Sequence, residues 1–290
     1  MSWTLSAFAD EAGQTADEQI AALRGASIPC VDLRAIDGFS CIDLPVDGAE
    51  SIRKKLADAE IRVAMFGSPI GKIDIDDDFE TDRNRLRHLA SLKDVFECNA
   101  VRIFSYYNKA ARHLDEWAQV SLSRLRELRN EAGELGLVLY HENEREIFGD
   151  RLPEVHRIAE ELRDAETFRM IFDFDNFNQS GDDVWANWEA LRDQTDAFHL
   201  KDSDAANQHV PVGLGTGQVR PILEDAVARG WSGPVSLEPH LAHSPAVLAT
   251  GASGTANQAL EDLDDAACFQ LAAEAARKLL EQISAPVSFS

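Results

Sequence analysis

The stretch Leu137-Val138-Leu139-Tyr140-His141-Glu142-Asn143-Glu144 joins a short apolar run to a histidine and two acids. Its β-favouring start is too short for a helix, so it predicts a strand with polar chemistry at its C-terminal end. The same arrangement recurs downstream. Ile171-Phe172-Asp173-Phe174-Asp175-Asn176, Phe198-His199-Leu200-Lys201-Asp202 and Ser236-Leu237-Glu238-Pro239-His240 each carry an apolar run into charged or ligating side chains. Working outward, strands are expected at residues 4–9, 29–34, 62–66, 100–104, 137–142, 168–172, 197–199 and 235–238. Helical patterns alternate with them at residues 15–24, 48–59, 78–96, 115–135, 153–162, 185–192, 220–229 and 263–283. In the last, Leu271, Ala275, Leu279 and Ile283 fall on one helical face. Such alternation implies parallel strands joined by right-handed crossovers. Eight regular units favour closure over an open doubly wound sheet. The expected fold is α/β, a (β/α)8 TIM barrel, with residues 1–290 as one domain and residues 249–265 as a long polar loop.

Composition agrees. The chain has 290 residues, 44% of them hydrophobic, enough for one barrel core. No apolar run approaches the roughly 18 residues of a membrane helix. The start, Met1-Ser2-Trp3-Thr4, lacks the basic-then-apolar pattern of a secretory leader. Cys30, Cys41, Cys98 and Cys268 are scattered and form no C-x-x-C pair, which points to free thiols. A cytoplasmic location is expected. With 28 basic against 51 acidic residues the net charge is −23, a field that repels phosphate backbones. Neither a nucleic acid nor a membrane is expected as a partner.

In a barrel of this kind the chemistry sits where strands end and loops begin. Four successive strand ends deliver Glu142, Asp173 (or its rival Asp175), His199 and Glu238 to one rim. Partly desolvated acids brought together need a cation. Three carboxylates and one imidazole make a mostly oxygen site for one divalent ion. Manganese is the first choice, with magnesium, cobalt or zinc as alternatives. Glu144, Arg145, Lys201 and His240 follow these strand ends and are expected to meet the substrate.

These residues resemble the sugar phosphate isomerase/epimerase family with the xylose-isomerase-like barrel, tagatose-type epimerases included. The resemblance rests on Phe8-Ala9-Asp10-Glu11, Val31-Asp32-Leu33-Arg34, Gly67-Ser68-Pro69-Ile70-Gly71-Lys72, Val101-Arg102-Ile103-Phe104-Ser105, His141-Glu142-Asn143-Glu144 and Ser236-Leu237-Glu238-Pro239-His240. It places the metal ligands on Glu142, Asp173, His199 and Glu238. Two departures stand out. Relatives often have Asp-Pro-x-Asn where this chain has Asp173-Phe174-Asp175-Asn176, and an acidic Gly-Glu-Gly loop where it has Gly213-Leu214-Gly215.

The resemblance implies a metal-dependent isomerase or epimerase of a sugar or keto-sugar. Glu142, Glu238 or His141 would move a proton beside a carbonyl through an enediolate. The alternative is a lyase on 3-oxo-glycosides, similar to the large subunit of C-glycoside deglycosidases, with His141 as its base and a small β-rich partner subunit. A homo-oligomer is the other assembly considered. Asp10, Glu11 and Arg34 are expected to orient neighbours or substrate rather than perform chemistry, and the 67–72 segment to shape a loop. His209 and His243 lie in loops near the rim.

Overall fold

Strands buried on both faces need cover on both sides, and this sheet finds it by closing on itself inside a ring of helices. The computed structural model describes residues 2–241, 247 and 258–287. The barrel strands are β1 (Thr4–Ala7), β2 (Cys30–Leu33), β3 (Arg62–Phe66), β4 (Ala100–Ile103), β5 (Val138–Glu142), β6 (Phe168–Asp173), β7 (Ala197–Leu200) and β8 (Pro234–Leu237). They pair in parallel around a closed barrel, β1 meeting β8 on one side and β2 on the other. The helices are α1 (Ala16–Ala26), α2 (Val46–Asp58), α3 (Glu80–Phe96), α4 (Leu114–Leu135), α5 (Leu152–Leu162), α6 (Val184–Leu191), α7 (Val219–Ala228) and α8 (Asp265–Gln282). The expected (β/α)8 TIM barrel is therefore the fold. Among the described residues no helix is long and apolar enough to cross a membrane.

Local chemistry explains the helix ends. Thr15 and Glu18 form a reciprocal capping box at the start of α1. Asp183 and Asp264 cap α6 and α8 through their carboxylates. Gly136, at φ 71°, ends α4 in the left-handed conformation that glycine tolerates.

Two small elements depart from the expected pattern. Ala35–Ile36 and Phe39–Ser40 form an antiparallel hairpin after β2. Asp37 and Gly38 turn it, both with positive φ, as a tight hairpin requires. A short helix, Phe174–Gln179, starts at once after β6 because Asp173 caps it, accepting a hydrogen bond from Asn176 N at 2.8 Å. The long loop expected at residues 249–265 lies largely outside the described residues, and a 3-10 turn at Gln258–Leu260 precedes α8.

Strand alternation decides which side chains enter the barrel. Leu139, Phe172, Phe198 and Leu237 point outward into the main hydrophobic core under the helices. Met65, Tyr140, Ile171 and Ala197 form a separate apolar cluster inside the barrel. Above that plug, on the same inward face, stand the buried polar residues Asp32, Arg102, Glu142, Asp173, His199 and Glu238. The four cysteines are free and buried, as their spacing implies.

Candidate metal centre and substrate cavity

Glu142 and Asp173 end β5 and β6, His199 stands one residue inside the end of β7 and Glu238 follows β8, and the closed barrel turns all four inward. Each offers a ligand atom, and these atoms lie within 4.8 Å of one another. All four residues are at most 2% exposed. His199 Nδ1 lies 2.9 Å from Glu142 Oε1 and 3.3 Å from Glu238 Oε2. Arg102 Nη1 lies 3.2 Å from Glu142 Oε2 and 3.1 Å from Glu238 Oε1. Lys201 Nζ stands 3.1 Å from Asp173 Oδ2.

The electrostatics of this cluster call for a cation. Burial, joined by the charges of Glu142 and Glu238, raises the Asp173 carboxyl well above its ordinary range despite Lys201. Burial opposes a charge on His199, yet Glu142 and Glu238 push its pKa up to about 10. Burial would also raise Glu142, but His199 and Arg102 bring it down to about 2. Glu142 Oε2 and Asp173 Oδ2, beside Arg102 and Lys201, are buried and make no hydrogen bond of proper geometry in the protein. Three hard oxygen donors and one imidazole fit a divalent ion of the manganese or magnesium type.

A second trio, Glu11, Glu238 and His240, also brings ligand atoms within 4.8 Å. Here the cation is already supplied. Arg34 Nη1 lies 2.9 Å from Glu238 Oε1, and its Nη2 lies 3.4 Å from Glu11 Oε1. Its fork is anchored on Asp10 by bonds of 2.7 and 2.9 Å. Asp10, Glu11 and Arg34 hence act as scaffolding. Glu11 also accepts the backbone N–H of His240 at 2.8 Å, holding that residue at φ 51°.

A polar cavity opens beside the cluster. Glu144, Arg145, Lys201 and His240 all line it, together with Glu142 and Glu238. Glu144 is fixed by Lys72, 2.7 Å away. Lys72 reaches it because Gly71 packs flat on the backbone just after β4: a Cβ there would come within 2.1 Å of Phe104 O. Loop shaping is what the 67–72 segment does.

Two expectations need correction. His141 does not reach the cavity. Its neighbour Glu142 points in, so strand alternation sends His141 out, where it is 0% exposed. Its ring stacks on Phe168 at 6.3 Å and abuts Gly149, whose added Cβ would sit 2.6 Å from His141 Cε1. Burial depresses its pKa to about 3. Asp175, the rival ligand, lies outside the cluster. It accepts from Ser203 Oγ and from Gln179 Nε2 (2.6 Å), and its Oδ2 lies 3.1 Å from His209 Nδ1.

Arg102, Tyr107, Asn176, Gln179 and His209 also line the cavity. The sequence signal for Arg102 is an arginine in mid-strand. Nothing in the spacing announces the Asp175–His209 pair. His243 lies outside the described residues.

The sequence profile described as xylose isomerase-like TIM barrel matches residues 29–263. A sequence search of curated proteins finds no match. Among solved structures, L-ribulose 3-epimerase superposes with a TM-score of 0.74 at 16% identity, covering 98% of this chain and 96% of that one. The 3-keto-D-glucoside 4-epimerase of E. coli gives 0.68 at 15% identity, covering 97% and 100%. A probable 3-DHS dehydratase from Bacillus anthracis gives 0.67 at 18% identity, covering 82% and 92%. At these identities the likeness is one of fold.

Proposed function

The chain belongs to the xylose isomerase-like TIM barrel family, and from that premise we propose that it is an isomerase or epimerase of a sugar or keto-sugar. The observation that carries this reading is the pair Glu142 and Glu238. Both line one cavity, both meet His199 Nδ1, and both face Arg102 Nη1. Two carboxylates on either side of a bound sugar can exchange a proton across it. The epimerases among the structural neighbours support the same choice.

One carboxylate takes the proton from the carbon beside the carbonyl, and an enediolate forms. Return by the other carboxylate to the opposite face gives an epimer, and return to the neighbouring carbon gives an isomer. Glu142, Asp173, His199 and Glu238 would hold a divalent ion, manganese first, which would supply Lewis acidity near the developing negative charge. Arg102 keeps the two carboxylates in register from behind. Lys201, buried at the cavity wall, keeps its charge because its carboxylate neighbours outweigh the cost of burial, and it donates to a substrate oxygen. Glu144, held by Lys72, and His240, held by Glu11, orient hydroxyl groups. Arg145 closes the outer rim.

The test is turnover in deuterated water. Deuterium should appear in product at the carbon beside the carbonyl. Turnover with no exchange and no isotope effect on that hydrogen would overturn the proton-transfer reading. The lyase alternative needs His141 as its base, and the outward position of that ring leaves it without support.

A further inference from the structure

We propose that Asp32 is a positioning residue for His199, holding the imidazole so that Nδ1 faces Glu142 and Glu238. The inference rests on the metal-site reading above and extends it one layer down. Nδ1 is the nitrogen that meets Glu142 and Glu238, at 2.9 and 3.3 Å. The opposite nitrogen, Nε2, points away from them, is buried, and has no hydrogen-bond partner in the protein. A histidine that ligates a metal holds its orientation through its second nitrogen, as a rule by donating to a carboxylate, a carbonyl or a water.

Asp32 is the carboxylate in reach. It stands on the inner face of β2 and is 2% exposed. Its Oδ2 accepts two hydroxyls, Ser6 Oγ from β1 at 2.8 Å and Ser236 Oγ from β8. These bonds turn Oδ1 away, and that oxygen is also buried without a partner. Ser236, which donates to Asp32, is the register partner of His199 on the adjacent strand, so the barrel sets the carboxylate and the imidazole in neighbouring positions of one layer. The β2–β3 pairing slips at this point, between Val31 and Asp32. Such irregularities re-aim a side chain beside an active site. The charge of His199 is among the influences that lower the Asp32 pKa against the dominant effect of burial. Two unpartnered, oppositely polar atoms therefore share one enclosed layer beneath the ligands. One water bridging them would satisfy both.

The experiment compares wild type with Asp32→Asn, which keeps the shape and removes the charge. Mn2+ dissociation constants, Co2+ visible absorption and the Tm of metal-free protein are measured. Asp32→Asn is expected to weaken Mn2+ binding about 10–100-fold and to alter the Co2+ bands. Its metal-free Tm should stay within about 3 °C of wild type. An unchanged Mn2+ constant with unchanged Co2+ bands overturns the inference and leaves the metal site standing. A fall in Tm alone does the same, since it marks a structural role. If Asp32→Asn does not fold, Ser6→Ala keeps the carboxylate while loosening it, and no weakening of Mn2+ in that variant overturns the inference. Wild type that takes up neither metal overturns the metal-site reading itself.

Discussion

Glu238 receives more partners than any other member of the cluster: Arg34, Arg102 and His240 on Oε1 and His199 on Oε2. Burial alone would raise its pKa, but Arg102, Lys201 and His199 hold it well below the usual carboxylate range. Glu238→Gln fills the same volume, so the barrel should persist. An amide can neither take a proton nor balance two guanidinium groups, and kcat should fall by about 10²–10⁴-fold. Steady-state kinetics beside a circular dichroism spectrum checks both halves of that statement. His141 predicts the reverse. Its ring fills a buried site against Phe168 and Gly149, so His141→Ala opens a cavity and should cost about 2–4 kcal/mol of stability. Its kcat should stay within a few-fold of wild type. A hundredfold loss of kcat at unchanged Tm would return the base role to His141.

At the scale of elements, the loop after β7 shows how a strand end is made rigid. Gly213, Gly215 and Gly217 each donate a backbone N–H to the carboxylate of Asp202, at 2.9, 2.9 and 3.0 Å. Gly215 sits so close that a Cβ would meet Asp202 Oδ1 and Ser203 O at 2.3 Å. The loop that differs from the acidic version of relatives is thus wound around an acid of its own. Asp202→Ala leaves three donors without an acceptor. At about 1–3 kcal/mol for each buried unsatisfied group, partly relieved by water, Tm should drop by about 5–10 °C. A shift under 2 °C would mean the loop is held by something else. Period and strand ends made the barrel and the Glu142, Asp173, His199 and Glu238 cluster legible in the sequence. The base role for His141 treats sequence neighbours as spatial neighbours, whereas on β5 they face opposite sides. That much could be read from the strand period alone. Arg102 could be noticed as a charge inside β4, but its partners on β5 and β8 come together only through barrel closure. The Asp175–His209 contact joins the first turn of a short helix to a distant loop, and no local pattern encodes such a pair.

At the scale of the molecule, a metal in this cluster would tie together the ends of β5, β6, β7 and β8, half of the closed sheet. Such a ligand stabilises the native state by mass action, by about 2.7 kcal/mol at 100 times its dissociation constant. In a chain of this size each kcal/mol moves Tm by about 2–4 °C. Mn2+ at that excess should hence raise Tm by about 5–10 °C over protein treated with a chelator, and activity should return with the metal. Net charge complicates the measurement. A chain at −23 repels itself, and any added salt relieves part of that repulsion. The comparison must therefore run at fixed ionic strength against Glu142→Ala, which alters the net charge by a single unit but loses a ligand. Screening predicts parallel shifts in the two proteins. Binding at the cluster predicts a shift that saturates in wild type and nearly vanishes in the variant, and parallel curves would remove the metal from this rim.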